Sequence, residues 1–339
     1  MKPTEIISNI INEKDGFSFG EAIVVKKANL DTIVPILRDK HQGRNYYILA
    51  EARDIEINDT GKINNVYVKN NEDKPLLVSK GEIFQGKTQE RVAIHSYIIE
   101  PGKGCNIEVH CVHASKGIVG NAGMTYAGKA PSYVDYSNQS NTWRSITTNN
   151  SGDVYYQNAN ISLDNEMPRS GFSSVVDHTP LNPNISYTAH QMFMSAGVGG
   201  SINTKSADDL VNQLKEKKLK LDNVLKMIPR KENQVGVIFI DDKKLRAIEL
   251  YDLETSWAFV QDDTISKEGS DFIEEPEVDL FDFVPERLKA FLEKKLTNFE
   301  QKILWNKERY TVIELKNKEM IGEMSLIDGE LIHLTLVRI

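Results

Sequence analysis

"NVYVKNNEDKPLLVSKGEIFQGKTQERVAIHSYIIEPGKGCNIEVHCVH" runs from Asn65 to His113, and its reading decides the fold class. Short β-rich runs, "NVYVK", "KPLLVS", "RVAIHSYIIE" and "NIEVHCVH", follow one another, the last with apolar and polar residues alternating, and are separated by Asn70-Asn71-Glu72-Asp73 and Pro101-Gly102. A period of two marks a strand with one face turned inward, and Asn, Asp, Pro and Gly between such runs are turn formers. The gaps leave no room for crossover helices, so this region is expected to be an antiparallel meander. "YYILAEARDIEIN", followed by Asp59-Thr60-Gly61, continues the pattern toward the N-terminus.

Working outward, residues 1–14 carry Ile6, Ile7, Ile10 and Ile11 at helical spacing. A helix is expected from Ala207 to Ile228, capped by Ser206 and ended by Pro229, with Leu210, Leu214, Leu221 and Leu225 near one face. A second should start near Pro285 and run to about Trp305. "QVGVIFI" and "LRAIELY" flank a four-residue turn, and Asp328-Gly329 between "GEMSLI" and "ELIHLTLVRI" is the strongest short hairpin signal in the chain. The acidic stretch "QDDTISKEGSDFIEEPEVD" reads as a solvated, self-repelling loop. Residues from about 121 to 200 are rich in Asn, Ser, Tyr, Gly and Pro and read as a long loop region, functional or mobile. The expected architecture is a single α+β domain over 1–339: an antiparallel β-rich core, meander or sandwich-like, with two main packed helices and a loop-rich insertion at about 121–200.

The 339 residues include 41 basic and 49 acidic side chains, a net charge of −8, with no basic block flanked by aromatics. Nucleic-acid binding is disfavoured. No run of about 18 apolar residues and no leader pattern appears, so a soluble cytoplasmic protein without a membrane partner is expected. Two cysteines, Cys105 and Cys111, make no disulfide scaffold and remain available as ligands or nucleophiles.

Chemistry concentrates in the opening stretch. Gly81 and Gly86 bracket Glu82, which permits a bulge, a positive-φ turn or close approach of a ligand to backbone N–H groups. On a continuous strand, Gln89, Arg91, His95 and Tyr97 share a face, where the Arg91 fork and the Gln89 amide suit an anionic ligand. A symmetric hairpin about Lys103 would set His95 opposite Cys111 and Ala93 opposite His113, gathering Gln89, Arg91, His95, Cys111 and His113 on one face that Glu82 reaches from its turn. The plainer alternative is a structural ion pair between Glu82 and Arg91. Cys111 as nucleophile would need His113 or His95 as its base. In a metal-holding, cupin-like alternative, His95, His110, Cys111 or His113 would be ligands, but the local set falls short of the three or four that zinc needs, and no metal is assigned. Trp143 is either a stacking platform for a base or sugar, or a core anchor. His333, on a face with Leu331 and Val337, reads as structural. A third alternative is a non-catalytic module that docks a protein partner through residues 121–200.

The order "GEIFQGKTQER", "IEVHCVH", "QSNTW", "QVGVIFIDDKKLRAIELYD" and "GEMSLIDGELIHLTLVRI" resembles the ARG-and-rhodanese-phosphatase-superfamily-associated protein domain family over nearly the whole chain. The family pattern of Gly-Glu, Gly, Gln-x-Arg and Cys-Val falls on Gly81-Glu82, Gly86, Gln89-x-Arg91 and Cys111-Val112, with Gln139 and Trp143 further on. Here His113 stands where the family has Glu, and "ASKGIVG" replaces its Gly-Arg-Trp segment. The resemblance implies a site on Gly81, Glu82, Gly86, Gln89, Arg91, Cys111 and Trp143; joined to the strand-face reading, which adds His95 and His113, the expected catalytic residues are Glu82, Cys111 and His113 and the expected ligand contacts Gly81, Gly86, Gln89, Arg91, His95 and Trp143. Association with ADP-ribosylglycohydrolases implies an ADP-ribose- or NAD-related ligand, a warrant by company alone.

Overall fold

The computed structural model describes residues 2–25, 31–39, 45–87, 90–112, 122–132, 134, 136–150, 210–241, 244–268, 278–281 and 285–339. In chain order they form α1 (Pro3–Ile11), β1 (Phe17–Phe19), β2 (Ala22–Val25), β3 (Asp31–Arg38), β4 (Tyr47–Ile48), β5 (Ile55–Asp59), β6 (Asn65–Asn70), β7 (Leu76–Val78), β8 (Glu82–Gln85), β9 (Glu90–Ala93), β10 (Tyr97–Ile99), β11 (Gly104–Cys111) and β12 (Thr125–Lys129). They continue as α2 (Gln139–Asn150), α3 (Leu210–Lys220), α4 (Asp222–Met227), β13 (Gln234–Asp241), β14 (Lys244–Tyr251), α5 (Glu254–Glu268), β15 (Val278–Phe281), α6 (Pro285–Lys295), β16 (Glu300–Lys307), β17 (Tyr310–Lys316), β18 (Met320–Ile327) and β19 (Glu330–Arg338).

The fold is α+β and antiparallel, as the period-two runs require. A ten-stranded, curled sheet has the order β15-β2-β3-β13-β14-β19-β18-β17-β16, with β1 paired to β3. Side chains alternate across it. Ile238, Ile248, Leu250, Leu334 and Leu336 point to one face, where Ile6, Ile7 and Ile10 of α1 and Leu288 and Leu292 of α6 cover them. Val237, Phe239, Ala247 and Tyr251 point to the other, against Trp257 and Val260 of α5 and Ile48, Leu77 and Ile98 of a three-stranded sheet, β10-β7-β4. The expected final hairpin is present, with Asp328 at φ 53° and Gly329 at φ 76°. Positive φ at both turn positions matches the twist of the flanking strands.

A six-stranded sheet, β12-β8-β9-β11-β6-β5, curls until its edges meet. Asn58 in β5 bridges Gly123, just ahead of β12, and the N–H groups of Asp59 and Met124 donate to the carbonyls of Ala122 and Ile57. This barrel is filled by Val66, Val68, Phe84, Ala93, Ile107 and Val109 together with Leu76, Val78 and Ile99 of the small sheet. Its outer face over Ile83 and Val92 carries α2 and α3 through Ile146, Leu210 and Val211.

Several expectations are corrected. The hairpin about Lys103 does not form as drawn, because the chain bends at residues 94–96 and β10 leaves β11 to pair with β7. Cys111 therefore faces Arg91, and Ala93 faces Val109. The acidic stretch is not all loop: α5 extends to Glu268 and buries Gln261, Thr264, Ile265, Lys267 and Glu268, because its charges find partners and do not simply repel. The helix from Pro285 stops at Lys295, since Asn298 adopts φ 56° and the Asn317 amide caps the carbonyls of Lys295 and Thr297. Ile303 and Trp305 then lie on β16. The helix expected over 207–228 is broken at Leu221, and its first turn is capped by the Glu90 carboxylate, which accepts the N–H groups of Leu210 and Val211. Within the loop-rich region, β12 and α2 are regular elements. Residues 151–200 of that region, and Ser206 and Ala207 at the expected helix start, fall outside the described residues.

Candidate functional site

The residues singled out in sequence divide among three places, and two of them, Gln89 and His113, lie outside the described residues. Arg91 and Cys111 sit in the barrel. Their adjacent positions on β9 and β11 put the guanidinium 3.1 Å from Cys111 Sγ, 3.0 Å from Asp59 Oδ2, and in a short contact with the Ile63 carbonyl. Arg91 is fully enclosed and clamps the end of β5 at the seam where the barrel closes. The pairing of Glu82 with Arg91 is replaced by this one. Burial pushes the Cys111 thiol up to about 11, against the opposing pull of Arg91. Gln139 binds the Cys111 backbone on both sides, accepting its N–H at 2.8 Å and donating to its carbonyl at 2.6 Å, so the first residue of α2 acts as a strand partner. Trp143 lies half-buried on the same helix, one residue beyond the Thr142 hydroxyl that meets His110 Nδ1 at 2.7 Å. Gly86 ends β8.

Glu82 belongs elsewhere. Gly81, at φ 86°, turns the chain into β8; its N–H donates to the Ala93 carbonyl, and its own carbonyl accepts from Ala130. This aims Glu82 and its register partner Lys129 out of the barrel end, onto the large sheet. There the inward face carries a block of polar residues on three adjacent strands: Glu249 and Tyr251 on β14, His333 and Thr335 on β19, Glu323 and Ser325 on β18. Lys129 Nζ makes a short ion pair with Glu249 Oε1 and lies 3.5 Å from His333 Nε2. Glu249 Oε1 also meets His333 Nε2 at 2.9 Å and the Tyr251 hydroxyl at 3.2 Å, while Thr335 Oγ1 donates to Oε2 at 2.9 Å. Ser79 Oγ donates to Glu82 Oε1 at 3.2 Å. From α5, Lys267 approaches Glu249 Oε2 to 4.0 Å, and Glu268 accepts from Ser132 N–H and Oγ and pairs with Arg246.

His95 forms the third place, on the rim of the second. Its Nδ1 is 2.8 Å from Glu323 Oε1, the Ser96 N–H donates to Oε2 at 2.7 Å, and Lys80 Nζ is 3.8 Å from Oε1. His95 is 30% exposed whereas Glu323 is sealed, so this is where the polar block comes closest to solvent.

Burial and charge drive these groups apart in proton affinity. Glu82 is pushed up to about 8 by burial and by Glu249, despite Lys129 and the hydrogen bonds from Ser79. Burial lowers Lys129, with Glu249 opposing. Burial also lowers His333, helped by the charge on Lys129. Glu249 goes the other way: burial would raise it, but Lys129, Lys267 and His333 hold it well below the usual carboxylate range. A carboxyl that keeps its proton near neutrality beside a cation that gives its proton up more readily is the electrostatic signature of acid–base sites. Among the described residues, Glu82 Oε2, His333 Nδ1 and Ser325 Oγ are buried polar atoms without a hydrogen-bond partner.

Lys129, Glu249, His333, Glu323 and Ser325 were not predicted as site residues. The available signal is that Glu249/Tyr251, Glu323/Ser325 and His333/Thr335 are polar at alternate positions of otherwise apolar strands. His333 does not share a face with Leu331, because a register shift between β18 and β19 turns Leu331 to the α1 and α6 side.

Fold and site define a class: an antiparallel α+β protein in which a closed small barrel sets one carboxyl and one lysine against a buried polar block on a larger curled sheet. The family model of the ARG and Rhodanese-Phosphatase-superfamily-associated Protein domain matches residues 17–337. The chain belongs to that family. No curated protein and no solved structure matches it. None of the described helices is long and apolar enough to cross a membrane, and among the described residues no three His, Cys, Asp or Glu side chains gather to hold a metal ion.

Proposed function

We propose that this chain binds a small anionic molecule at the junction of the barrel and the large sheet and moves a proton there, with Glu82 as the acid and Lys129 as its basic partner. The observation that carries this reading is the opposed proton affinities of Glu82 and Lys129, neighbours in register, beside a carboxyl oxygen that nothing in the described protein satisfies. Lys80 and His95 on the rim supply the donors an anion meets first. On this reading Arg91 stays with Asp59 and Ile63 inside the barrel, and the ligand is met elsewhere. ADP-ribose, NAD and simple nucleotides are the first ligands to try, on the strength of the family's association alone.

Thermal-shift and calorimetric titrations of wild type, Glu82→Gln and Lys129→Met test this. At least one of these ligands is expected to stabilise the wild type, with binding reduced tenfold or more in both variants. Unchanged binding in both would remove the two residues from the site.

A second reading is favoured by one observation: the Lys129–Glu249 pair joins barrel to sheet, and both side chains are almost entirely enclosed. On that reading the block is a latch. Replacing the pair with Met and Leu would then leave stability unchanged or improved, as happens for many buried ion pairs, and no ligand would bind the wild type.

A further inference from the structure

Ser325 and His333 are register partners on β18 and β19, and both are completely buried. Their side chains share the inward face, which sets the two Cβ atoms about 5 Å apart. The strand pairing shifts register between Ser325 and Leu326. Bulges of this kind re-aim side chains and recur beside active sites.

The shorter contact decides the arrangement of the His333 ring: Nε2 lies 2.9 Å from Glu249 Oε1, so a hydrogen lies between them, and 3.5 Å from Lys129 Nζ, which is itself paired with that same oxygen. Glu249 is flanked by Lys129 and Lys267 and accepts from Thr335 and Tyr251, an environment for a carboxylate. The hydrogen is therefore on Nε2, and in the neutral ring Nδ1 carries a bare lone pair. That lone pair and the Ser325 hydroxyl are two of the buried polar atoms that find no partner among the described residues. An acceptor beside a group that both donates and accepts is complementary to an O–H group, which donates to the one and accepts from the other.

We infer that Ser325 and His333 form a receptor for a hydroxyl group of the bound molecule, making the ligand a hydroxyl-bearing anion of the sugar-phosphate kind. This deepens the reading of the junction as a ligand site and rests on it. The ligand O–H donates to His333 Nδ1 while its oxygen accepts from Ser325 Oγ–H. Should the proton transfer, the ligand O–H bond breaks and an Nδ1–H bond forms; the imidazolium rests against Glu249, and the alkoxide is held by Ser325. Glu249 is then a positioning residue that sets the tautomer.

Nitrogen NMR of the full chain labelled at histidine, with His333 assigned by loss of its signals in His333→Gln, reads this directly. The ring is expected to be neutral with its proton on Nε2; a proton on Nδ1, or an imidazolium at neutral pH, overturns the inference. Titration with D-ribose 5-phosphate is expected to move the Nδ1 signal, inorganic phosphate is not, and Ser325→Ala should weaken the sugar phosphate about tenfold while leaving phosphate unchanged. If ribose 5-phosphate binds and Nδ1 does not respond, the hydroxyl receptor fails while the ligand site stands. If neither probe moves any signal at millimolar concentration, this inference fails as well, and the Glu82→Gln titrations then decide the broader reading separately.

Discussion

Replacing Arg91 with Met separates a clamp from a ligand receptor. The guanidinium is enclosed in the barrel and holds Asp59 Oδ2 at 3.0 Å, the Ile63 carbonyl and Cys111 Sγ at 3.1 Å. Met fills much of the same volume, so little of the effect comes from a cavity. What remains is Asp59, also buried, keeping the Gly61 N–H on Oδ1 at 2.9 Å but losing the partner of Oδ2. Removing one partner of a buried ion pair destabilises by about 3–5 kcal/mol. At about 2 °C per kcal/mol for a chain of this size, the melting temperature should fall by about 6–10 °C. Urea denaturation supplies the free energy, and the double variant Arg91→Met/Asp59→Leu should recover about half or more of the loss, since it removes the stranded charge. The backbone bond from Asp59 to Ala122, which closes the barrel, survives both changes. A loss below about 1 kcal/mol together with abolished binding of an anionic ligand would refute this reasoning and return Arg91 to the site.

Glu82 carries a pH signature. The folded chain keeps a proton on it up to about 8, whereas the unfolded chain releases it near 4.5, so stability should fall as pH rises through that window. The difference in unfolding free energy between wild type and Glu82→Gln, followed by denaturation from pH 4 to 9, should show that slope; a flat difference would mean that Glu82 is ionised throughout. Gln139→Ala should lose about 1–3 kcal/mol and speed hydrogen exchange at the Cys111 amide, because it strands a backbone N–H and a carbonyl. In a Cys105→Ser background, Cys111 should resist iodoacetamide at pH 8 until the protein unfolds, as its pKa of about 11 requires; rapid native-state labelling would restore it as a candidate nucleophile.

The hairpins were legible because local rules govern them: two β-rich runs around a polar turn for β13 with β14, and Asp328-Gly329 for β18 with β19. The register of Cys111 was not, because the bend at residues 94–96 is stabilised by Glu323, which binds His95 and the Ser96 N–H from 228 and 227 positions away. The acidic run ahead of Glu268 hid α5 for the same reason, its carboxylate being satisfied by Ser132, 136 positions away. Gly81 and Glu82 stand out in the sequence, and the turn at Gly81 is present. The side chains gathered around Glu82 were out of reach: Lys129 and Glu249 are 120 positions apart, and neither has a local pattern that announces the other.

The place of β3 in the large sheet sets an order of events during synthesis. Leu37 pairs with Gln234, and Arg38 binds Asp252, 214 positions later, so the first three strands leave the ribosome long before their neighbours exist. The barrel strands β5, β6, β8, β9, β11 and β12 arise in between and close mostly on one another, which lets them fold while β1 to β3 wait as an unpaired edge. Glu249, and after it Ser325 and His333, come later still. Nascent chains halted before β13 would therefore hold a finished barrel and an aggregation-prone edge at β3, and Glu82 and Lys129 would still face water.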